Sequence, residues 1–494
     1  MTAYAIETNL LNPDIFPQAK GPPHSLFAQW RDKDPVHWNP VNPNYAADVP
    51  FASIRKGFWV LTRYADVSEV SRDQKRFSSY DEGFVIWDMD DEELVRQRAN
   101  FMGMQPEAHM AVRRVLNGPF APNAMRALTP KIDGLAAEIV DSVAAKGKCE
   151  FVFDVASKLP VYTFCELMGI PESYRDAVVE YGNALADVET RTARTVDPIV
   201  PLFAICEEIC AQKRANPDDS LISTLVHDTT LGLEQLHINM FFMVFAIAGH
   251  ETTRSTAAHF IYLMNQFPDQ FALLRSDVDK HLDNAIEEVL RYTSTTTNFR
   301  RTATCDTEVG GFKVKKGDKI YLSYAAANRD PAVFENPDAF DITRANANRH
   351  LSFGVGPHLC LGNALAKLEM RLLFTELLAR IEALGRRQSA PATSQVLQVA
   401  DVKMDILQRK VTRGSEVISL SPREFEVLTF FLKEPGRTFS RDEICERIWQ
   451  REHEYDTRTV EIFIMRLRKK LDEGRPQPLI ETVRGVGYRL NPAA

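Results

Sequence analysis

Residues 350–362 read HLSFGVGPHLCLG and place Phe353, Gly356, Cys360 and Gly362 in the spacing F-x-x-G-x-x-x-C-x-G. Four fixed positions so close together suit one physical task. Glycine lets a backbone approach a flat group closely, an aromatic ring packs against such a group, and a cysteine thiolate ligates iron. The plainer alternative is a buried apolar thiol in a glycine turn, where most isolated cysteines belong.

Segments further upstream bear on that choice. Residues 236–266 are apolar at helical spacing, and midway along them stand Ala248, Gly249, His250, Glu251, Thr252 and Thr253. A carboxylate beside a hydroxyl can relay protons, and a glycine leaves room for a small ligand. A threonine bonded back to an upstream carbonyl beside a solvated glutamate fits the same letters. Glu288 and Arg291 follow at i and i+3 on a helical stretch, which by itself implies only a surface ion pair of a few tenths of a kcal/mol.

Taken together, these motifs resemble those of the cytochrome P450 monooxygenases, and the likeness covers most of residues 1–385. The resemblance implies a mainly α fold with minor β, the cytochrome P450 fold, holding haem b (iron protoporphyrin IX) with Cys360 on the iron. It casts Glu251 and Thr252 as the catalytic proton relay, puts Ala248 and Gly249 over the ring, and wraps Phe353, Gly356 and Gly362 around it. Glu288 and Arg291, joined by Arg344, become a structural cluster. Anchors for the two haem carboxylates fall on His109, Arg113, Arg301 and His358, with His350 as a lesser candidate. The implied reaction inserts one atom of O2 into a lipophilic substrate of the steroid, terpene or alkyl-chain class, with Cys360 donating electron density that favours O–O cleavage. Apolar positions Phe241, Phe242, Phe245, Ala248 and Phe299 are expected to line the substrate pocket. The sequence carries no flavin or nicotinamide fingerprint, so a separate ferredoxin and ferredoxin reductase are expected to supply electrons.

Composition sets the outer limits. The chain has 494 residues, 45% hydrophobic and 26% charged, which excludes collagen, a disordered tail and a small disulfide scaffold. Its net charge of -8 is unevenly spread: residues 391–494 carry 18 basic against 16 acidic side chains, so the two parts are expected to have different partners. Seven scattered cysteines without CxxC spacing point to a reducing cytoplasm, and the start lacks the basic and apolar regions of a signal peptide. The most apolar run, residues 240–249, is about half the length of a membrane span and reads as a buried helix.

Along the chain, residues 57–62 alternate as a strand, helical periodicity dominates residues 111–380, and residues 308–324 return to a strand pattern. Residues 386–395 read as a linker between a haem domain over 1–385 and a small α+β domain over 396–494.

In that second domain residues 396–418 suit an antiparallel sheet, and Ser421 with Glu424 signals a capped helix start. Two short helices are expected over 424–432 and 441–449, then one over 457–471 with Val460, Phe463, Ile464, Leu467 and Leu471 on one face. Its residues 457–470 hold five basic side chains against one acidic, and a glycine hairpin with Arg484 at its bend follows. The blocks LSPREFEVL, SRDEICERIW, RTVEIFIMRLRKKL and TVRGVGYRL resemble the winged-helix DNA-binding domain of OmpR/PhoB-type response regulators. That resemblance implies double-stranded DNA as a partner, contacted by Arg458, Thr459, Arg466, Arg468 and Lys469 from the helix and Arg484 from the wing.

Two departures accompany these likenesses. No phosphorylated receiver domain precedes the winged helix, and the β-rich segment that closes the substrate pocket in the haem family is missing before the linker. Three readings stand at this stage: a monooxygenase with a DNA-binding tail, a haem-based sensor that regulates transcription, and a fusion with an idle tail.

Overall fold

A computed structural model describes residues 9–492 except 11, 13–20, 42–53, 145, 187–196, 390–395, 406–409, 415, 450–457 and 476. The chain divides into two compact units, Met1–Ile381 and Glu382–Ala494.

The first unit is organised around the helix Gln235–Gln266, which is apolar on nearly every side and therefore stable only when surrounded. Its first turn is closed by a reciprocal cap in which the Glu234 backbone N–H donates to His237 Nδ1 at 3.1 Å. One buried cluster gathers its later half with Pro122–Ala144, Val278–Thr293 and Asn363–Ser389, including Phe260 stacked on Phe374 at 3.8 Å. Another gathers its earlier half with Pro106–Leu116, Lys158–Met168 and Ile199–Ala215. Phe241 and Phe242 lie within that second core, fully buried, so they fill the interior and do not line the pocket as expected.

A five-stranded sheet flanks the helices in the order Val36–Asn39, Phe58–Leu61, Lys319–Ser323, Asn298–Ala303, Phe77–Ser78. Only Phe58–Leu61 against Lys319–Ser323 is parallel, and Arg301 stands opposite Ile320. The strand pattern at 308–324 is split, because Gly310 and Gly311 at φ 56° and 86° turn Thr307–Val309 back on Phe312–Val314 before Lys319–Ser323 enters the larger sheet.

Charge, not hydrophobicity, fixes the segment leading to Cys360. Glu288 and Arg291 are fully buried, and Arg291 donates to both carboxylate oxygens at 2.7 and 2.8 Å while Arg344 donates at 3.2 Å. The spare guanidinium donors reach the carbonyls of Asn328, Pro337 and Ala339 from Arg291, and those of Glu335, Asn336 and Ala339 from Arg344. Spacing alone implied no more than a surface bridge for this pair; it lies in an interior three-charge cluster with Arg344 that clamps residues 328–344.

The second unit opens with four antiparallel strands, Val396–Val399, Val402–Asp405, Lys410–Arg413 and Glu416–Ile418. These pack with Phe425, Leu428 and Phe431 of the helix Pro422–Lys433, whose Ser421–Glu424 cap is reciprocal as the sequence implied. Helices Arg441–Trp449 and Arg458–Leu471 follow, then the hairpin Ile480–Val483 with Gly487–Leu490, which Thr438–Ser440 extends to three strands. Gly487 is obligatory, since a Cβ there would fall onto the Phe439 carbonyl oxygen. The helix Asn363–Ser389 occupies the first four residues of the expected linker, and 390–395 lie outside the described residues. Among the described residues the last strand of the first unit is Lys319–Ser323.

Glu288→Ala should cost the first unit about 3–5 kcal/mol, because two guanidinium groups would remain buried without their counter-charge. Urea unfolding followed by tryptophan fluorescence measures this, and an unchanged midpoint would contradict the role of the cluster.

Candidate functional site

Residues 351–362 descend from that clamp as an irregular loop. The Asn328 side chain accepts from Leu351 N at 2.6 Å, and the Ser352 hydroxyl donates to Leu290 O at 2.7 Å, so both ends of the clamp grip the loop. Gly356 has φ 80°, and a Cβ there would lie 3.0 Å from Arg72 Cα, so only glycine fits against the neighbouring helix. Cys360 N donates to Phe353 O at 2.8 Å, and the Cys360 side chain joins the wall of a cavity of about 230 Å³. Cys360 is open to that cavity and enclosed on its other sides, and burial pushes its thiol up while the Gly362 N–H and Arg113 pull the other way.

Opposite the loop the cavity is walled by Phe245, Ala248, Gly249, Thr252 and Thr256 of the long helix, with Phe84, Phe101, Phe120, Phe164 and Phe299. Polar groups gather at one edge, where Arg113, Arg301 and His358 line the cavity and His109 stands behind His358 without lining it. His109 and His358 stack at 4.2 Å, Arg113 donates to Leu359 O, and fully buried Arg301 donates to Arg300 O at 2.7 Å. Burial, then the adjoining guanidinium groups, lower His109 to about 4 and His358 to about 2, and burial also lowers Arg301. Both ring nitrogens of His109 lack a partner, and among the described residues no carboxylate pairs with Arg113 or Arg301. A buried donor set that has no anion of its own fits a planar group carrying two carboxylates above a cysteine ligand.

Other candidates are placed elsewhere. His350 is buried away from the cavity, 3.0 Å from Glu287 Oε2, where it accepts from Ser352 N; it braces the loop and is not an anchor for the haem carboxylates. Gly356 shapes the loop without lining the cavity, whereas Phe353, Gly362, Ala248 and Gly249 do line it. Thr252 lines it too and donates to Ala248 O at 2.7 Å. Its neighbour Glu251 faces away, paired with Arg254 and accepting from Ser255 Oγ at 3.1 Å, because one residue on a helix is a rotation of about 100°.

Sequence reading missed Glu369, which is fully enclosed in the cavity wall with its carboxyl pushed up to about 8 by burial, the nearby Thr163 hydroxyl drawing it part-way back. The signal was its register: Leu365, Glu369 and Leu373 are i, i+4 and i+8 on one buried face.

In the second unit the helix Arg458–Leu471 buries Val460, Ile464, Leu467 and Leu471, with Phe463 packed at the margin. Arg466 and Lys469 are exposed. Arg468 departs from expectation: its guanidinium donates to Ile480 O at 3.0 Å and Thr482 Oγ1 at 2.7 Å, so it ties helix to wing. Lys470 pairs with Glu424 at 2.7 Å. Arg484 is exposed at the hairpin bend. Thr457 and the side chains of Arg458 and Thr459 lie outside what is described.

Residues 202–402 match the family Cytochrome P450. A steroid C26-monooxygenase of Mycolicibacterium smegmatis is 32% identical over 364 residues, 71% of this chain and 82% of that protein. The chain belongs to the cytochrome P450 family. The linalool 8-monooxygenase of Pseudomonas putida is 30% identical, covering 76% of this chain and 92% of its own. A Mycobacterium marinum cytochrome P450 solved with pseudoionone superposes with a TM-score of 0.67 at 32% identity, over 73% of this chain and 88% of the other. The protein is thus a cytochrome P450 monooxygenase, whose family cofactor is haem iron. Residues 414–490 match the family Transcriptional regulatory protein, C terminal, which accounts for the winged-helix arrangement of the second unit. The P450 match runs to residue 402, into strands that pack in the second unit's core.

Glu369→Gln should flatten the pH dependence of stability. In the folded parent this carboxyl keeps its proton to about pH 8, whereas in the unfolded chain it ionises near 4.5. The contribution of this carboxyl to stability is therefore fully present below pH 4.5 and is lost as pH rises to about 8, by up to ~1.4 kcal/mol per unit. Denaturant midpoints of parent and variant at pH 5.5 and 7.5 measure the difference, and parallel shifts would refute it.

Proposed function

We propose that this P450 binds haem b and oxidises a lipophilic substrate of the steroid, terpene or alkyl-chain class, while its second domain binds double-stranded DNA. The observation that carries the first part is the cavity, whose wall facing Cys360 is mostly aromatic and aliphatic and whose charges are confined to one edge. Such a lining holds an apolar substrate by burial and leaves few groups to orient it by hydrogen bonds. Relatives named for steroid and linalool oxidation agree with that class.

Cys360 Sγ would hold the iron, and Arg113, Arg301, His109 and His358 would hold the two carboxylates. When bound, thiolate-ligated haem supplies the reduction of dioxygen and the transfer of one oxygen atom to the substrate. The protein's own part is to exclude water and place protons. Thr252 Oγ1 holds a proton at the cavity wall, where the Ala248 carbonyl orients it. Glu251, a third exposed and paired with Arg254, takes protons from the solvent side of the same helix turn. Electrons come from a separate ferredoxin and its reductase, a reading supported by the lack of a nucleotide-binding glycine fingerprint in the sequence. The seven free cysteines suit the cytoplasm, and among the described residues no helix is long and apolar enough to cross a membrane.

The exposed Arg466, Lys469 and Arg484 favour DNA binding by the second domain. They support regulation of transcription by the haem domain as a second reading of the whole chain.

Cys360→Ala should abolish the red-shifted Soret band of the reduced CO complex, and an unchanged band would remove Cys360 from the iron. Thr252→Ala should retain substrate binding while diverting about tenfold more reducing equivalents into hydrogen peroxide. Oxygen and peroxide electrodes measure this with surrogate ferredoxin and reductase, and equal coupling in variant and parent would refute the relay.

A further inference from the structure

The outward face of the helix Arg458–Leu471 has an unusual composition. Ile462 and Met465 are 44% and 62% exposed, with Arg466 and Lys469 beside them. Positions 462, 465, 466 and 469 follow the i, i+3, i+4, i+7 rule and lie about 180° from the buried stripe of Val460, Ile464, Leu467 and Leu471. A helix face that met only water would carry polar side chains at these positions. Single exposed apolar residues are ordinary, but here two adjoin on the one face whose other described members are cations. The carboxylate of this helix, Glu461, is drawn aside by Arg441 at 3.1 Å.

We infer that Ile462 and Met465 are specificity residues that read thymine C5-methyl groups in the DNA major groove, with Arg466 and Lys469 holding the flanking phosphates or guanine edges. The inference rests on the DNA-binding reading above and adds the base that is read. Three features select this occupant. The face is positive and free of carboxylate, which matches a polyanion. A helix of this diameter enters the major groove, and the thymine methyl is the one apolar group that base edges present there. Arg468 and Lys470 are engaged within the domain, so base reading from the middle of the helix falls to the two apolar side chains and Arg466. The preferred site should therefore contain thymines in adjoining positions, at the steps met by Met465 and Ile462.

The test uses the full chain. Preferred duplexes are selected from a random pool at low salt, and each thymine is then replaced singly by deoxyuridine, which removes only the methyl group. The parent should lose about fourfold in affinity at each thymine read, the equivalent of ~0.8 kcal/mol per methyl. Met465→Ala and Ile462→Ala should bind the thymine duplex more weakly and become insensitive to uracil at one position each. Both are surface substitutions outside the buried stripe, and circular dichroism of parent and variants checks the fold. Equal binding of thymine and uracil duplexes by the parent would overturn the inference while leaving DNA binding standing. Failure of the pool to enrich, or of any duplex to bind, would overturn the DNA-binding reading and this one with it. Concentration-dependent self-association that Met465→Ala abolishes, without any uracil effect, would assign the face to a second copy of the chain instead.

Discussion

A carboxylate and two guanidinium groups, Glu288, Arg291 and Arg344, sit in the interior of the first unit with next to no water. Removing such charges from solvent costs several kcal/mol each, recovered only when every donor and acceptor is occupied. That requirement is what makes the cluster organise its surroundings. The guanidinium hydrogens left over after Glu288 is satisfied bind five backbone carbonyls between Asn328 and Ala339, fixing a stretch with little regular structure. Asn328, whose carbonyl is one of the five, then holds Leu351 N and the Ser352 hydroxyl through its side chain. The position of Cys360 is thus inherited through hydrogen bonds from a salt-bridge cluster formed by two residues of the helix Val278–Thr293 and Arg344.

The cavity follows the opposite logic. Its wall is left open to apolar contact, and polarity is concentrated where Arg113, Arg301, His109 and His358 meet. Burial, with the two guanidinium groups close by, lowers both histidines, which stay neutral at physiological pH, ready to donate without adding charge to an already positive edge. Glu369 is held in its neutral form by the same apolar surroundings. Desolvation therefore sets the protonation state on both sides of the site.

The second unit sorts its charges by a comparable economy. Buried Arg413 spans Asp401 and Asp472 and donates to the Leu471 carbonyl at the end of the basic helix, joining the four-stranded sheet to it. Arg468 and Lys470 are likewise used for internal bonds. What remains for a partner is a narrow face that mixes cations with apolar side chains.

Sequence alone determined the thiolate loop, the helix that carries Thr252, the acid and bases of the buried cluster, and the capped start at Ser421, because each depends on local spacing that a chain of letters preserves. Tertiary structure decided which candidates share a space. Thr252 meets the cavity and Glu251 does not; His358 joins the polar edge and His350 is taken by Glu287; Arg466 stays exposed and Arg468 is bound by the wing. Neighbouring residues on a helix point about 100° apart, and the partner that captures a side chain comes from an element 63 residues away for His350 or 12 for Arg468. Only the packing of those elements brings such partners together, and local spacing does not encode it.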